Sequence, residues 1–150
     1  MSDYSSIEVD EKKVMEMFKD LSYKNQIKSY KQALRISARI IQKEAKASLK
    51  KEIGKAANRK GRYGRLNSGI KIKVARNGTS AKVHIMGDFR LKFFELGTEE
   101  RYLKKNGAYR GKMTATHFFQ NARVAKEKEA EDTLTKNLEQ SIKKINDKYK

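Results

Sequence analysis

The chain of 150 residues has the length of one domain, and its hydrophobic fraction of 37% provides only a thin core. Charged residues make up 36% of it, compared with roughly 25% in an average globular protein. Without cysteine the chain can form neither a disulfide framework nor a thiolate metal site, and the lack of proline permits long helices. No apolar run approaches the ~18 residues of a membrane span, and residues 1–4 lack the features of a signal peptide, so we expect a cytoplasmic product.

The net charge of +18 is concentrated in one part of the chain. Residues 21–76 carry seventeen Lys and Arg residues and two acids, a net charge of +15, whereas residues 1–20 carry a net charge of −3. Such a concentration indicates that the charge has a local role and is not a general means of keeping the protein soluble.

The first part of the chain is predicted to be helical. We expect residues 1–9 to form a flexible arm and residues 10–21 to form a short helix capped by Asp10. A long helix is predicted over residues 24–57, because apolar residues recur there at steps of three and four. These apolar positions are Ile27, Leu34, Ala38, Ile41, Ala45, Leu49 and Ala56.

Basic residues form a second stripe on the same long helix. At ~100° per residue they fall within an arc of roughly 120°. Few acids lie four residues away, so the cations repel one another, and we expect packing or an anionic partner to offset that repulsion. DNA phosphate and an acidic protein surface both fit this requirement. The basic stripe consists of Lys24, Lys28, Lys31, Arg35, Arg39, Lys43, Lys46 and Lys50.

A glycine-punctuated basic loop over residues 58–65 follows the helix and is expected to be mobile in the isolated protein. Its tyrosine is suited to stacking on a nucleic-acid base, and the loop is equally suited to ordering against another protein. The candidate contact residues of this loop are Arg59, Lys60, Arg62, Tyr63 and Arg65.

The hydrophobic period then changes to two, which predicts strands. Residues 70–74 and 81–85 read as a hairpin around Asn77-Gly78, and residues 89–96 read as a third strand. On that third strand the alternation places on one face Phe89, Leu91 and Phe93. We therefore predict a small antiparallel sheet of three to four strands.

The last part of the sequence predicts a polar loop and a long C-terminal helix. The loop covers residues 99–113, and Thr116 is placed to cap the helix, which runs nearly to the end. The apolar stripe of this helix is formed by Phe118, Ala122, Ala125, Leu134, Leu138, Ile142, Ile145 and Tyr149. The order of elements predicts one α+β domain, residues 1–150, with two long helices on one face of the sheet.

Few residues suggest chemistry. His84 and His117 lack any metal-ligand spacing, and structural roles are the favoured interpretation, with a small nuclease as a distant alternative. Glu95, at the predicted strand end between apolar residues, is interpreted as an acceptor of hydrogen bonds from loop backbone or a partner of an arginine in preference to a catalytic base. We therefore expect no enzymatic activity, no metal and no cofactor.

Three segments, at residues 64–71, 95–98 and 116–122, resemble the HK97 gp10-like family of phage neck and tail-completion proteins. Gly64-Arg65-Leu66-Asn67-Ser68-Gly69-Ile70-Lys71 is similar to the start of that family's first strand, although Gly69 stands where the family has serine. Glu95-Leu96-Gly97-Thr98 resembles the family's strand end, and residues 116–122 lie where the family opens its C-terminal helix. Two family prolines of that last block are missing, as is the proline before the glycine start. The residues that match structural positions of the family are Leu66, Ile70, Glu95, Gly97, Thr98, Phe118 and Phe119.

The resemblance implies a virion structural protein of a tailed bacteriophage, assembled in the host cytoplasm. Such a protein forms a homo-oligomeric ring, a hexamer or a dodecamer, in the neck or head–tail connector through which DNA passes. Its implied partners are portal-side adaptor or head-closure proteins and tail-side proteins, with non-specific contact to DNA and no membrane. The alternative is a basic nucleic-acid-binding protein that uses the basic stripe and the loop at residues 58–65.

Overall fold

The computed structural model describes residues 23–148, so the predicted arm over residues 1–9 and helix over residues 10–21 lie outside the described residues. The α+β class is confirmed. In chain order the structure contains α1 (Tyr23–Ile53), a 3-10 turn (Gly54–Ala57), a second 3-10 turn (Leu66–Gly69), β1 (Lys71–Val74), β2 (Ala81–His84), α2 (Arg90–Leu96) and α3 (Phe118–Lys148).

The two long helices, α1 and α3, pack along each other in antiparallel directions. Ser37 of α1 donates a hydrogen bond of 2.6 Å from its Oγ to the backbone oxygen of Ala130 in α3. Toward the C-terminal end of α1, Leu49 and Phe118 of α3 belong to one buried core. Small side chains such as Ala33 and Ala130 are buried along these helices. Their size allows the two backbones to approach closely enough for the serine bond.

The first long helix ends four residues earlier than predicted, because Gly54 adopts a φ of 61°. Glycine reaches this left-handed region without steric cost and commonly ends helices. The following 3-10 turn changes the angular spacing of side chains. Ala57 is consequently buried, and the predicted core position Ala56 is exposed.

The predicted hairpin of β1 and β2 is confirmed, with Ile72 opposite Val83 in an antiparallel register. Gly78, in the connecting turn, has a φ of 71° and packs against α1. A Cβ at this position would lie 3.2 Å from the Cβ of Tyr30. The hairpin therefore packs its turn against the first half of α1.

The prediction of a third strand over residues 89–96 is wrong, because this segment forms the helix α2. The Asp88 carboxylate accepts a 3.0 Å hydrogen bond from the backbone N–H of Arg90, and the Asp88 carbonyl accepts one of 3.2 Å from Leu91. These bonds start a helical turn. Within the described residues the sheet has two strands, fewer than the three to four predicted.

The core lies where the C-terminal part of α1, the start of β1, α2 and the start of α3 meet. Fully burying a large apolar side chain contributes about 1.5–3 kcal/mol, so these few residues supply much of the stability. The largest fully buried side chains are Phe118, Leu49, Ile70 and Leu91.

The apolar stripe of α3 differs from the predicted one in its middle. Ala125 is exposed, and the buried row passes from Ala122 to Ala130 with Lys126 half-buried between them. Lys126 forms an ion pair of 2.7 Å with Glu129, and that hydrogen bond raises the pKa of the lysine. Of the last predicted positions, Tyr149 and the side chains of Ile142 and Ile145 lie outside the described residues.

Candidate nucleic-acid and partner interface

The basic stripe lies on a solvent-facing side of α1. Five of its members are exposed, namely Lys28, Arg35, Arg39, Lys43 and Lys50, and two are half-buried, namely Lys31 and Lys46. The side chain of Lys24 lies outside the described residues. None of these seven cations forms an ion pair within residues 23–148. Within that part of the chain, no acidic side chain neutralises these cations by an ion pair.

The predicted basic loop contains a tight hairpin turn. The N–H groups of Gly61 and Gly64 donate to each other's carbonyl oxygens at 3.2 and 3.0 Å, which leaves Arg62 and Tyr63 at the tip. The Arg90 guanidinium donates a 3.3 Å hydrogen bond to the Gly64 carbonyl and lies 5.5 Å from the centre of the Tyr63 ring. The turn is thus fixed to the start of α2. At the residues flanking the turn, the structure shows exposed side chains on Arg59, Lys60 and Arg65.

The same arginine forms a partly buried ion pair that was not predicted from the sequence. Arg90 donates to the Asp88 carboxylate from Nε at 2.9 Å and from Nη2 at 2.5 Å. These bonds hold the pKa of Asp88 below its usual range and raise the pKa of Arg90, because each group stabilises the charged form of the other. The sequence signal for this ion pair is the spacing of the two residues, because Asp88 follows a glycine and precedes Arg90 by two positions.

Beside this ion pair lies an exposed aromatic patch formed by Tyr63, Phe89 and Phe93. The Tyr63 and Phe89 rings meet edge to face at 5.6 Å, and the Phe89 and Phe93 rings do so at 6.3 Å. These three residues are 59%, 56% and 40% exposed, respectively. A contiguous exposed apolar patch marks an interaction site more often than it marks ordinary surface.

Glu95 is buried and accepts two backbone hydrogen bonds, from Phe119 at 2.8 Å and from Gln120 at 3.2 Å. The prediction that Glu95 accepts backbone hydrogen bonds is confirmed, although the donors belong to the first turn of α3 and not to a loop. A carboxylate is favourable there, because the first N–H groups of a helix have no partner within it. The prediction that Thr116 caps α3 is wrong, since its hydroxyl donates instead to the Phe94 carbonyl at 2.8 Å.

Gly97 and Thr98 end a helix, where the family resemblance implied the end of a strand. Gly97 has a φ of 71°, and a Cβ there would lie 2.7 Å from the backbone oxygen of Met113. Thr98 donates its N–H to that same oxygen at 2.9 Å, and its hydroxyl accepts the Met113 N–H at 2.9 Å. Thr98 therefore pairs with Met113, which brings together the two ends of the segment at residues 99–113.

That segment, predicted as a polar loop, forms a hairpin that we call the tyrosine hairpin (residues 99–113). The Arg110 N–H donates to the Arg101 carbonyl at 2.6 Å, and the Arg101 N–H donates to the Gly111 carbonyl at 3.1 Å. Tyr102 and Tyr109 face each other across the two arms with their ring centres 5.4 Å apart. The sequence alternation was too weak there to predict paired arms.

The histidines occupy different elements. His84 in β2 accepts a 3.2 Å hydrogen bond at Nδ1 from the Met86 N–H. His117 stands immediately before α3 with a φ of 51°, and its N–H donates to the Glu95 carbonyl at 3.2 Å. Within residues 23–148 no hydrogen bond links the two imidazoles.

Four of the residues on which the predicted family resemblance rests lie in or against the core. Leu66, Ile70 and Phe118 are buried, and Phe119 packs against them half-buried. The departure at Gly69 has a steric reason, because a Cβ at this position would lie 2.5 Å from the Cβ of Asp88.

No family model matches the sequence, and neither a curated protein nor a solved structure shows detectable similarity to it. The resemblance to the neck and tail-completion family therefore stays a prediction. Residues 23–148 contain no group of three or more side chains placed to hold a metal ion. Neither long helix in that part of the chain combines the length and apolarity that a bilayer crossing requires.

Proposed function

We propose that the protein is a virion structural protein of a tailed bacteriophage that forms a ring in the neck or tail-completion assembly around the DNA. The observation that carries this proposal is the exposed aromatic patch, which offers a built surface for subunit contact. The order of a long helix, a small hairpin and a long C-terminal helix also supports it, because the resemblance implies that order.

The position of the aromatic patch favours contact with a different surface of the next copy. Tyr63, Phe89 and Phe93 lie at one end of the helix pair, held there by the Asp88–Arg90 ion pair. A ring requires head-to-tail contacts in which one surface of a subunit meets another surface of its neighbour. An apolar patch with a rigid support at one end of an elongated helix pair suits such a contact.

The assembly state tests the proposal, with mass measurement in solution and electron microscopy of the protein alone and mixed with portal-side and tail-side neck proteins. We expect rings for the natural sequence and their loss in Phe93→Glu, because the added carboxylate would be desolvated in the contact. Val124→Glu is the matched control, since Val124 is also an exposed apolar residue, at 68%, but lies on α3. A protein that stays monomeric in every mixture would refute the proposal.

A second candidate function, nucleic-acid binding through the basic stripe, is favoured by the exposure of its cations and their lack of ion pairs within residues 23–148. Each neutralised phosphate releases counterions, so duplex binding should weaken steeply with salt. Replacing Lys28, Arg35, Arg39 and Lys46 by Gln should flatten the slope of log affinity against log salt by up to about 0.9 for each phosphate that is no longer neutralised. Absence of binding at ~50 mM salt would exclude this function. The two functions are compatible, because a ring around DNA contacts its phosphates without reading its sequence.

A further inference from the structure

We propose that the tyrosine hairpin is a contact site for single-stranded nucleic acid, in which Tyr102 and Tyr109 stack on unpaired bases and the surrounding cations bind phosphates. This site is separate from the basic stripe and from the turn at Tyr63. It goes beyond the proposed ring assembly and does not depend on it.

The two rings are presented to solvent by a fixed backbone. Tyr102 is 57% exposed and Tyr109 is 58% exposed, although their ring centres lie only 5.4 Å apart. The two rings are tilted by 56° to each other, and more than half of the surface of each residue stays accessible to a ligand. Hydrogen bonds between the arms at Arg101 and Arg110 hold the pair in this arrangement before any ligand binds. A platform that is already ordered loses little conformational entropy on binding.

The charge around the rings suits a polyphosphate. The arms and tip of the hairpin carry five exposed cations, and none of them forms an ion pair within the described part of the chain. These cations are Arg101, Lys104, Lys105, Arg110 and Lys112. The two acids, Glu99 and Glu100, lie next to the base of the hairpin, and the Tyr102 hydroxyl donates a 2.8 Å hydrogen bond to Glu100.

The chemistry of the rings favours single strands over duplexes. Bases in a duplex have their faces buried in the stack, whereas unpaired bases can lie on aromatic side chains, each such contact being worth about 1–3 kcal/mol. Sequence-independent single-strand binders likewise combine positive charge for the phosphates with aromatic side chains on which the bases stack. An acidic protein would engage the same cations, but it would have no bases to place on the tyrosines.

The test measures fluorescence anisotropy of the full chain with a labelled oligothymidine of roughly 20 nucleotides, longer than the ~4–16 that one such site covers. A duplex and a polyglutamate of matched length serve as the other two probes. We expect Tyr102→Ala with Tyr109→Ala to weaken single-strand binding at least about tenfold and duplex binding less than about twofold. Tyr102→Phe with Tyr109→Phe keeps both rings and should bind single strands within about twofold of the natural protein.

A second variant separates charge from stacking. Lys104→Gln with Lys105→Gln should lower the salt slope on single strands by about 0.7 for each phosphate that is no longer neutralised. Unchanged thermal melting of all variants shows that the fold is intact, and light scattering of the same samples reports ring assembly independently. Equal losses on single strands and duplexes, a Phe variant as weak as the Ala variant, or tyrosine-dependent binding of polyglutamate would each overturn the proposal.

Discussion

The carboxylate of Glu95 accepts the backbone N–H of Phe119 at 2.8 Å, which ties the last turn of α2 to the first turn of α3. A second oxygen of the same carboxylate accepts the Gln120 N–H at 3.2 Å. Because the Glu95 side chain is buried, both bonds form away from water. Both donors belong to the first turn of α3, where backbone N–H groups have no acceptor within the helix. This connection joins the two elements that carry four of the six phenylalanines of the chain.

Removal of that carboxylate should destabilise the fold. We expect Glu95→Ala to lower the free energy of unfolding by about 1–3 kcal/mol, because two helix N–H groups lose their acceptors. Glu95→Gln keeps one acceptor oxygen and should cost less. Glu127→Ala is the control, since the Glu127 carboxylate forms an exposed ion pair with Arg123, worth less than about 0.5 kcal/mol. Denaturant unfolding gives these values, and equal losses for Glu95→Ala and the control would contradict the role of Glu95.

The helical structure of residues 90–96 makes a distinct prediction. Leu91 is fully buried, whereas Phe89 is 56% exposed. We therefore expect Leu91→Ala to cost about 2–5 kcal/mol of unfolding free energy and Phe89→Ala less than about 1 kcal/mol. A strand would place both side chains on one face and give similar losses. Urea denaturation of the two variants distinguishes the two structures.

This segment also shows how far the sequence could predict the fold. Phe89, Leu91 and Phe93 alternate with polar residues, yet a run as short as residues 89–96 fits both the strand period and about two turns of helix. Asp88 favours the helix, because its carboxylate accepts the Arg90 N–H in the first turn and forms an ion pair with the Arg90 guanidinium. The long helices were predictable because their apolar spacing persists over many turns. The paired arms of the tyrosine hairpin were not, because backbone hydrogen bonds fix them without an apolar alternation.

The same limit applies to the candidate site. The basic stripe could be located from the sequence, since helical geometry alone puts its cations on one side of α1. The aromatic patch could not, because Tyr63 and Phe89 are far apart in the chain and are brought together in the folded protein, where Arg90 binds the Gly64 carbonyl. Contacts of this kind depend on tertiary packing.

Serine at position 69, which the predicted resemblance to the neck and tail-completion family would place there, should destabilise the fold. An added Cβ would lie 2.5 Å from the Asp88 Cβ and 2.8 Å from the Asp88 backbone nitrogen, so the backbone must move. We expect Gly69→Ser to cost about 1–3 kcal/mol of unfolding free energy. Gly61→Ala is the matched control, because its nearest atom, Nη1 of Arg90, lies 3.7 Å away. A melting temperature that falls as much in Gly61→Ala as in Gly69→Ser would contradict the steric argument.

The Asp88–Arg90 ion pair should make stability depend on pH on the acidic side. The folded protein holds the pKa of Asp88 below its ordinary value of 3.8, so the unfolded chain takes up the proton first as pH falls. The stabilisation is complete above the unfolded pKa and is lost as pH falls through the folded pKa. We expect the acid-side loss of unfolding free energy to be smaller in Asp88→Asn, which is less stable at pH 7 but lacks this titration. Denaturant unfolding at a series of pH values measures this loss. The same dependence of unfolding free energy on pH in the natural protein and in Asp88→Asn would exclude the role of Asp88.

His117 should be a position where glycine stabilises the protein. Its φ of 51° lies in the left-handed region, which costs an L-residue roughly 1–2 kcal/mol, and its side chain is exposed. His117→Gly removes that cost but increases the entropy of the unfolded chain, so we expect a net gain of about 0.5–1 kcal/mol. His117→Ala keeps the Cβ and therefore the strain, and it should show no such gain. Thermal and urea unfolding of the two variants compares them directly, and a gain for alanine equal to that for glycine would mean that the imidazole, and not the backbone angle, limits stability at the start of α3.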